Sequence, residues 1–321
     1  TAMKNNMKQT TIIIGWCLAL IASIAISLFW NLGSWSDPLN HSILFEVRLP
    51  RVFEALLAGI GLSIAGQMFQ TVLNNPLADS LTLGLASGSV LGSGLAVFIG
   101  LSSLWIPFAS IVASMLTLAI VLGVTAAISQ GYMMRALILS GIMIGALFNA
   151  FLYLLILLDE RRMKSIVMYM FGGFSNAELH EVYVIAPIMM LCIVLLGLLL
   201  PKVKLLQVGT LKARSLSLNV RQMMFMVLTL SSIMTAIIVS YTGIIGFIGM
   251  IVPQLIRRTT QTTLGVQMLL NGVVGGTVMV FADTLGAQLW NPIEIPASII
   301  LALLGIPVLG YLIATQKHSY E

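Results

Sequence analysis

The chain has 321 residues, of which 59% are hydrophobic and only 8% charged, with a mean hydropathy of +1.03. That balance excludes a soluble domain of this size and points to a polytopic helical membrane protein, whose helices satisfy their own backbone polar groups inside the bilayer. The net charge of +5 is no nucleic-acid signal, because the basic residues lie between apolar runs and are not interleaved with aromatics.

The pattern predicts ten spans in one all-α transmembrane domain covering residues 1–321, at roughly 11–30, 52–73, 84–100, 106–128, 137–158, 183–200, 223–241, 244–258, 267–286 and 297–314. The first run, Thr11–Trp30, has no small-residue cleavage site and reads as a retained span. Thr1-Ala2 ahead of Met3 looks like an added remnant. The second span opens on Arg48, Pro50 and Arg51, is rich in small residues (Gly59, Gly61, Ala65, Gly66), and ends in the polar turn Asn74-Asn75-Pro76. Small side chains let helix backbones approach closely in lipid. This stretch is therefore either part of an ordinary packed bundle or a span beside a pathway, gated at its turn. The eighth span is short and contains Gly246, Gly249 and Pro253, which predicts a broken or re-entrant helix. Cys17 and Cys192 both lie in apolar runs, so no disulfide framework is expected.

Lys and Arg set the orientation. With the N-terminus inside, 11 of the 16 basic residues are cytoplasmic and 5 external, and the C-terminus returns to the cytoplasm. Two connections are too long for simple turns. Residues 159–182 are external, and their apolar stripe predicts a short interfacial helix. Residues 201–222 are cytoplasmic and mix leucines with five basic residues. They are either a topology-fixing basic loop or a pair of short helices that dock on a soluble partner.

No catalytic constellation is visible. The GxxxxGK[ST] phosphate loop is missing, and His41, His180 and His318 are scattered over loops and the tail, so neither a nucleotide site nor a metal site is expected. Asp283 lies inside the ninth span, as a functional ionisable group or as a hydrogen-bonded packing anchor. Glu54 follows Arg51 by three residues, spacing that suits a local ion pair. Arg48 and Arg51 are either headgroup-snorkelling residues or a docking point for carboxylates on an extracytoplasmic protein, since the Arg fork matches a carboxylate bidentately.

Several motifs in order carry a family resemblance: RLPR with LAG and AG in 48–66, NPLA at 75–78, LG at 83–84, ALILSG at 136–141, FGG at 171–173 and LQVGTLKARSLSLNV at 206–220. They continue with GIIGFIGMIVPQLIRR at 243–258, AD at 282–283 and EIPASIILALLGIPVLGYLI at 294–313. In these the chain resembles the FecCD/BtuC-like permeases, the membrane subunits of ABC importers for iron-siderophore, haem and cobalamin. The resemblance implies a BtuC-like type II importer transmembrane domain in a bacterial cytoplasmic membrane. It implies pairing with a second permease, two cytoplasmic ATPase subunits that bind the ATP, and a substrate-binding lipoprotein outside. This chain would then bind no cofactor and act as no enzyme. Leu206, Gly209, Leu211, Ala213 and Leu216 would form the segment that couples to the ATPase. Arg48 and Arg51 would grip the lipoprotein, and Asn75, Leu77, Met133 and Met134 would close the cytoplasmic end.

Three departures stand out. Gln254 follows Pro253 where the family often has His, no Arg follows the AD pair, and TTQTTLGVQ at 259–267 replaces the family's Gly-x-Asp-His-Arg stretch. A ferric siderophore is the expected cargo, with haem or cobalamin as alternatives. A gradient-driven secondary transporter and a membrane enzyme or scaffold are the rivals from other classes.

Overall fold

The structure, a computed structural model, describes residues 2–33, 37–128, 133–159, 163–207, 219–260, 262–290 and 293–315. Among these residues every regular element is helical: α1 (Ala2–Phe29), α2 (Pro38–Ser42), α3 (Leu49–Val72), α4 (Leu85–Ile99), α5 (Ile106–Ile128), α6 (Met133–Leu158), α7 (Met163–Phe171), α8 (Leu179–Gln207), α9 (Val220–Thr242), α10 (Ile248–Thr259), α11 (Leu264–Gln288) and α12 (Ala297–Ala314). Among the described residues seven helices or continuous helical stretches are long and apolar enough to cross a bilayer, and α4 and the apolar part of α12 are shorter. With α10 they fall on the ten predicted spans.

The second span is longer than its apolar core suggests. Asp37 caps α2 by accepting from the Leu39 N–H at 3.0 Å, and the chain runs through a π-helical turn, Ile43–Arg48, directly into α3. Pro50 has no N–H to offer the preceding turn, and the Leu49 N–H reaches back five residues to the Leu44 carbonyl, widening the helix there.

α3 is the axis of the bundle, packed by α8, α9, α10 and α11, with 18 of its 24 residues buried. Its glycines explain the closeness. A Cβ on Gly59 would stand 2.3 Å from the Gly275 carbonyl oxygen of α11, and one on Gly66 would stand 1.9 Å from the Gly249 oxygen of α10. In both places backbone meets backbone, as small-residue packing in lipid requires. The LG and SG pairs of the sequence meet in the same way: a Cβ on Gly141 of α6 would fall 2.3 Å from the Thr82 oxygen, just ahead of α4.

α10 is the broken helix that its glycines predict. Twelve residues rise about 18 Å, well short of the roughly 30 Å hydrocarbon thickness. Its start is non-helical over 243–247, with Gly243 at φ 74° and Phe247 at φ 71°. That backbone is covered by the end of α7. The Ile244 N–H donates to the Tyr169 carbonyl at 2.9 Å, and the Gly173 N–H donates to the Thr242 carbonyl at 2.8 Å. Gly172 (φ 61°) lies against Ile244, where a Cβ would come within 2.0 Å of the Ile244 oxygen. This contact is why the FGG segment needs its first glycine.

The two long connections differ from expectation in extent. Within 159–182 the short helix is α7, and its Ile166 is fully buried. Residues 201–207 are no loop, because α8 continues through Pro201 to Gln207. Residues 208–218 lie outside the described part.

Candidate functional site

Two polar constellations occupy opposite ends of α3. At its N-terminal mouth the arginines face different partners. Arg48 donates from Nη1 to the carbonyls of Leu28 and Trp30, at 2.8 and 2.7 Å. It thereby ties the mouth of α3 to the C-terminal end of α1, where helix carbonyls lack intrahelical donors and favour a cation.

Arg51 turns inward. Its Nε donates to Asp283 Oδ2 at 2.7 Å, its Nη2 to Asp283 Oδ1 at 2.9 Å, and its Nη1 to Glu294 Oε2 at 2.9 Å. The side chains of Arg51 and Asp283 are only 13% and 3% exposed, while that of Glu294 is 48% exposed. The local Arg51–Glu54 pair expected from spacing is therefore not formed. The fork is committed to a bidentate pair with α11, and Glu54 keeps Oε1 without a hydrogen bond. Asp283 thereby joins α11 to α3. Glu294 reaches the arginine because the chain folds back after α11, with the Ile295 N–H donating to the Gly286 carbonyl at 3.0 Å. A side chain on Gly286 would strike the Ile295 oxygen at 2.1 Å.

Two cavities flank this clamp. One of about 250 Å³ has Arg48, Arg51, Asp283 and Glu294 in its wall. The other, of about 400 Å³, lies on the far side of Glu294 and is lined by Glu54, Glu181, Tyr169 and Tyr241 along with the Gly172-Gly173 loop. Sequence reasoning did not assemble this second group, whose members come from α3, α7, α8, α9 and the turn before α12. The one available signal was Glu54 itself, an acid placed one turn inside an otherwise apolar span. Among the described residues no three His, Cys, Asp or Glu side chains converge to hold a metal ion.

At the other end of α3 the Asn-Asn-Pro turn is held from several sides. Asn74 takes a left-handed φ of 47°, and Asn75 Oδ1 accepts from the Leu77 N–H at 2.9 Å. Gln70 donates to the carbonyls of Gly249 and Met250, and Gln254 donates to the Pro76 carbonyl at 2.6 Å. Gln254, the departure from Pro-His, thus supplies an N–H that binds α10 to the turn. Asp79 closes the turn on Thr82, accepting the Thr82 N–H at 2.7 Å. Burial pushes the Asp79 carboxyl above its ordinary range, against the hydrogen bonds from Thr82 and Leu81 that pull it down. Leu77 stands out 38% exposed at the tip.

The remaining predicted residues divide. Met133 and Met134 begin α6, but their side chains are outside the described part. Gly209, Leu211, Ala213 and Leu216 also lie outside it. Leu206, on the last turn of α8, is 9% exposed and packs into the core rather than facing outward.

Comparison with known proteins places almost the whole chain in one family. The model of the FecCD transport family covers residues 10–315. The hemin transport system permease protein HmuU of Yersinia pestis is 30% identical over 98% of this chain and 99% of its own length. The molybdate import system permease protein MolB of Haemophilus influenzae is 32% identical, covering 88% of this chain and 84% of the relative. The Fe(3+)-citrate import system permease protein YfmE of Bacillus subtilis is 29% identical, covering 88% and 85%. A solved inward-facing structure assigned to the metal-chelate type of ABC transporter superposes with a TM-score of 0.85 at 30% identity, covering 95% of this chain and 99% of that one. The chain belongs to the FecCD transport family, as a multi-pass membrane permease of an ABC importer.

Proposed function

We propose that this permease imports a ferric siderophore across a bacterial cytoplasmic membrane, with both of its termini on the cytoplasmic side. It works with a second permease copy or homologue, two ATPase subunits and an extracytoplasmic binding lipoprotein. The observation that carries the reading is the family match along almost the whole chain together with relatives whose names specify ferric citrate and hemin. A large, varied cargo needs a passage with weak walls, and the 19 methionines offer soft, adaptable contact. ATP binds to the partner subunits, and residues 206–220 transmit their closure to the helices. Arg48 and Arg51 mark the docking end for the lipoprotein. Because Arg51 is already paired, a carboxylate arriving there must take over bonds now made to Glu294, the more exposed of its two partners.

A molybdate importer is the second reading, favoured by the similarity to MolB. Uptake of radiolabelled ferric siderophores, hemin, cobalamin and molybdate by cells with and without the gene decides between them. Loss of ferric-siderophore uptake alone supports the proposal, and loss of molybdate uptake alone overturns it. Gly209→Asp or Leu211→Asp should abolish ATP-dependent uptake while the permease remains folded in the membrane. Undiminished uptake in both variants removes the coupling role.

A further inference from the structure

The cavity of about 400 Å³ beside the Arg51 clamp has a chemistry that import of an anionic chelate does not require. Three carboxylates, Glu54, Glu181 and Glu294, line it, and among the described residues no basic side chain does. Two of them are already engaged. Glu294 accepts from Arg51, and Glu181 Oε2 accepts from the Glu178 N–H at 3.1 Å. Glu54 is different: it is 2% exposed, it faces the cavity, and its Oε1 accepts no hydrogen bond. A buried carboxylate without a partner is costly, and native structures keep such groups where something binds them.

The carboxylates are spread around the cavity instead of converging, and no set of three His, Cys, Asp or Glu among the described residues approaches metal-ligand spacing. The space suits a polyatomic cation better than a bare ion. Tyr169 and Tyr241 stand in the same wall, adding aromatic rings to the acid. An aromatic ring and a carboxylate together favour guanidinium and alkylammonium groups, through cation–π attraction and charge-assisted hydrogen bonds. The floor is fixed, because Gly172 and Gly173 are sewn to Ile244 and Thr242 through backbone contacts that leave no room for a Cβ at Gly172.

We propose that this cavity is a binding site for a guanidinium or alkylammonium group, with Glu54 as its buried counter-ion, Glu181 as a second acceptor and the two tyrosines as its walls. The site stands apart from the choice of cargo, but the source of the cation rests on the import reading. The group arrives either as a basic side chain of the capture protein or as a cationic substituent of the transported ligand.

The probe is methylguanidinium chloride against matched sodium chloride, added to the full-length permease purified with its ATPase subunits and followed by saturation-transfer NMR. Saturable binding is expected, weakened at least about tenfold by Glu54→Gln and about threefold by Glu181→Gln, since each removes one charge-assisted acceptor. Glu46→Gln, at the same end but outside the cavity, should leave binding unchanged. If Glu54→Gln fails to fold, Glu181→Gln decides. Absence of saturable binding to the wild type, or equal binding by the cavity variants, overturns the site. Two further arms assign the source. Inhibition of capture-protein docking by the probe places the cation on that protein. Inhibition of uptake with docking intact places it on the ligand. An effect on neither, despite binding, overturns a role in import. Failure of ferric-siderophore uptake by the wild type would refute the cargo while leaving the binding arm unaffected.

Discussion

The Arg51–Asp283 pair is the strongest long-range polar link among the described residues, and its worth can be worked from its geometry. Asp283 accepts two of the three hydrogen bonds the guanidinium makes to carboxylates and is 3% exposed, whereas Glu294 accepts one and is 48% exposed. Removing one partner of a buried pair strands the other and typically costs about 3–5 kcal/mol. Asp283→Ala should fall at the low end, about 3 kcal/mol, because Arg51 keeps Glu294. Glu294→Ala removes a solvent-screened contact and should cost about 0–1 kcal/mol. The combined Arg51→Met, Asp283→Leu variant leaves no stranded charge and should return to within roughly 1 kcal/mol of wild type. Arg51→Met or Asp283→Leu alone strands the other charge, so the double variant should be far less damaging than the sum of these two single variants. The assay is SDS-induced unfolding of the full-length protein in mixed micelles, followed by tyrosine fluorescence. Asp283→Ala no more damaging than Glu294→Ala, or a double variant no better than either single one, would refute the assignment of Arg51 and Asp283 as a buried clamp.

Substitutions at Gly66, Gly197 and Gln254 probe the backbone contacts and the polar turn. Gly66→Ala should prevent accumulation of folded permease, because its methyl would lie 1.9 Å from the Gly249 oxygen, whereas Gly197→Ala, with open space around its Cβ, should express normally. Monodisperse yield in size-exclusion chromatography separates the two outcomes. Gln254→Ala should increase protease cleavage and amide exchange in residues 73–82, since it removes the N–H that holds the Pro76 carbonyl. Gln254→His should restore protection if a ring N–H reaches the same carbonyl.

The membrane fold was open to a reader of the sequence because it depends on local quantities: apolar length, turn residues and the clustering of glycine. The ten spans and the break in the eighth follow from these. The position of the break was less legible. Pro253 looks like the breaker, yet it lies within α10, and the chain departs from helix at Gly243–Phe247, where positive φ angles occur. α8 likewise runs through Pro201, past the predicted span end at residue 200. A helix buried among neighbours finds other partners for the freed carbonyl. The site was less legible still, because its partners are remote. Gly59 and Gly66 announce close packing but not Gly275 and Gly249 as their mates. Arg51 had an acid one turn away, and the rule for isolated helices selects that neighbour. In the folded chain the fork faces α11, where an aspartate 232 residues away offers both oxygens at once. That bidentate fit outweighs what an i, i+3 pair offers, typically a few tenths of a kcal/mol.

These contacts constrain how the permease can move. Between Arg51 and Gln70, α3 rises about 28 Å, and along that length it touches α11 through Gly59·Gly275 and α10 through Gly66·Gly249 without room for a methyl group. Polar ties lock both ends: the Arg51–Asp283 clamp at one, and the bonds of Gln70 to α10 and of Gln254 to the Asn-Asn-Pro turn at the other. Sliding α3 past either neighbour would bring a carbonyl against a Cα and break these bonds together. Closely packed elements shift as bodies rather than deform continuously. A force applied at the arginine mouth is therefore delivered to the Asn75 turn by α3, α10 and α11 moving as one. The thinner contacts that remain free to yield lie where α3 has no glycine-to-glycine crossing, on its α8 and α9 sides. There Gly61 faces the flexible ends of Ile238 and Met189, side chains that can change rotamer where a backbone carbonyl cannot.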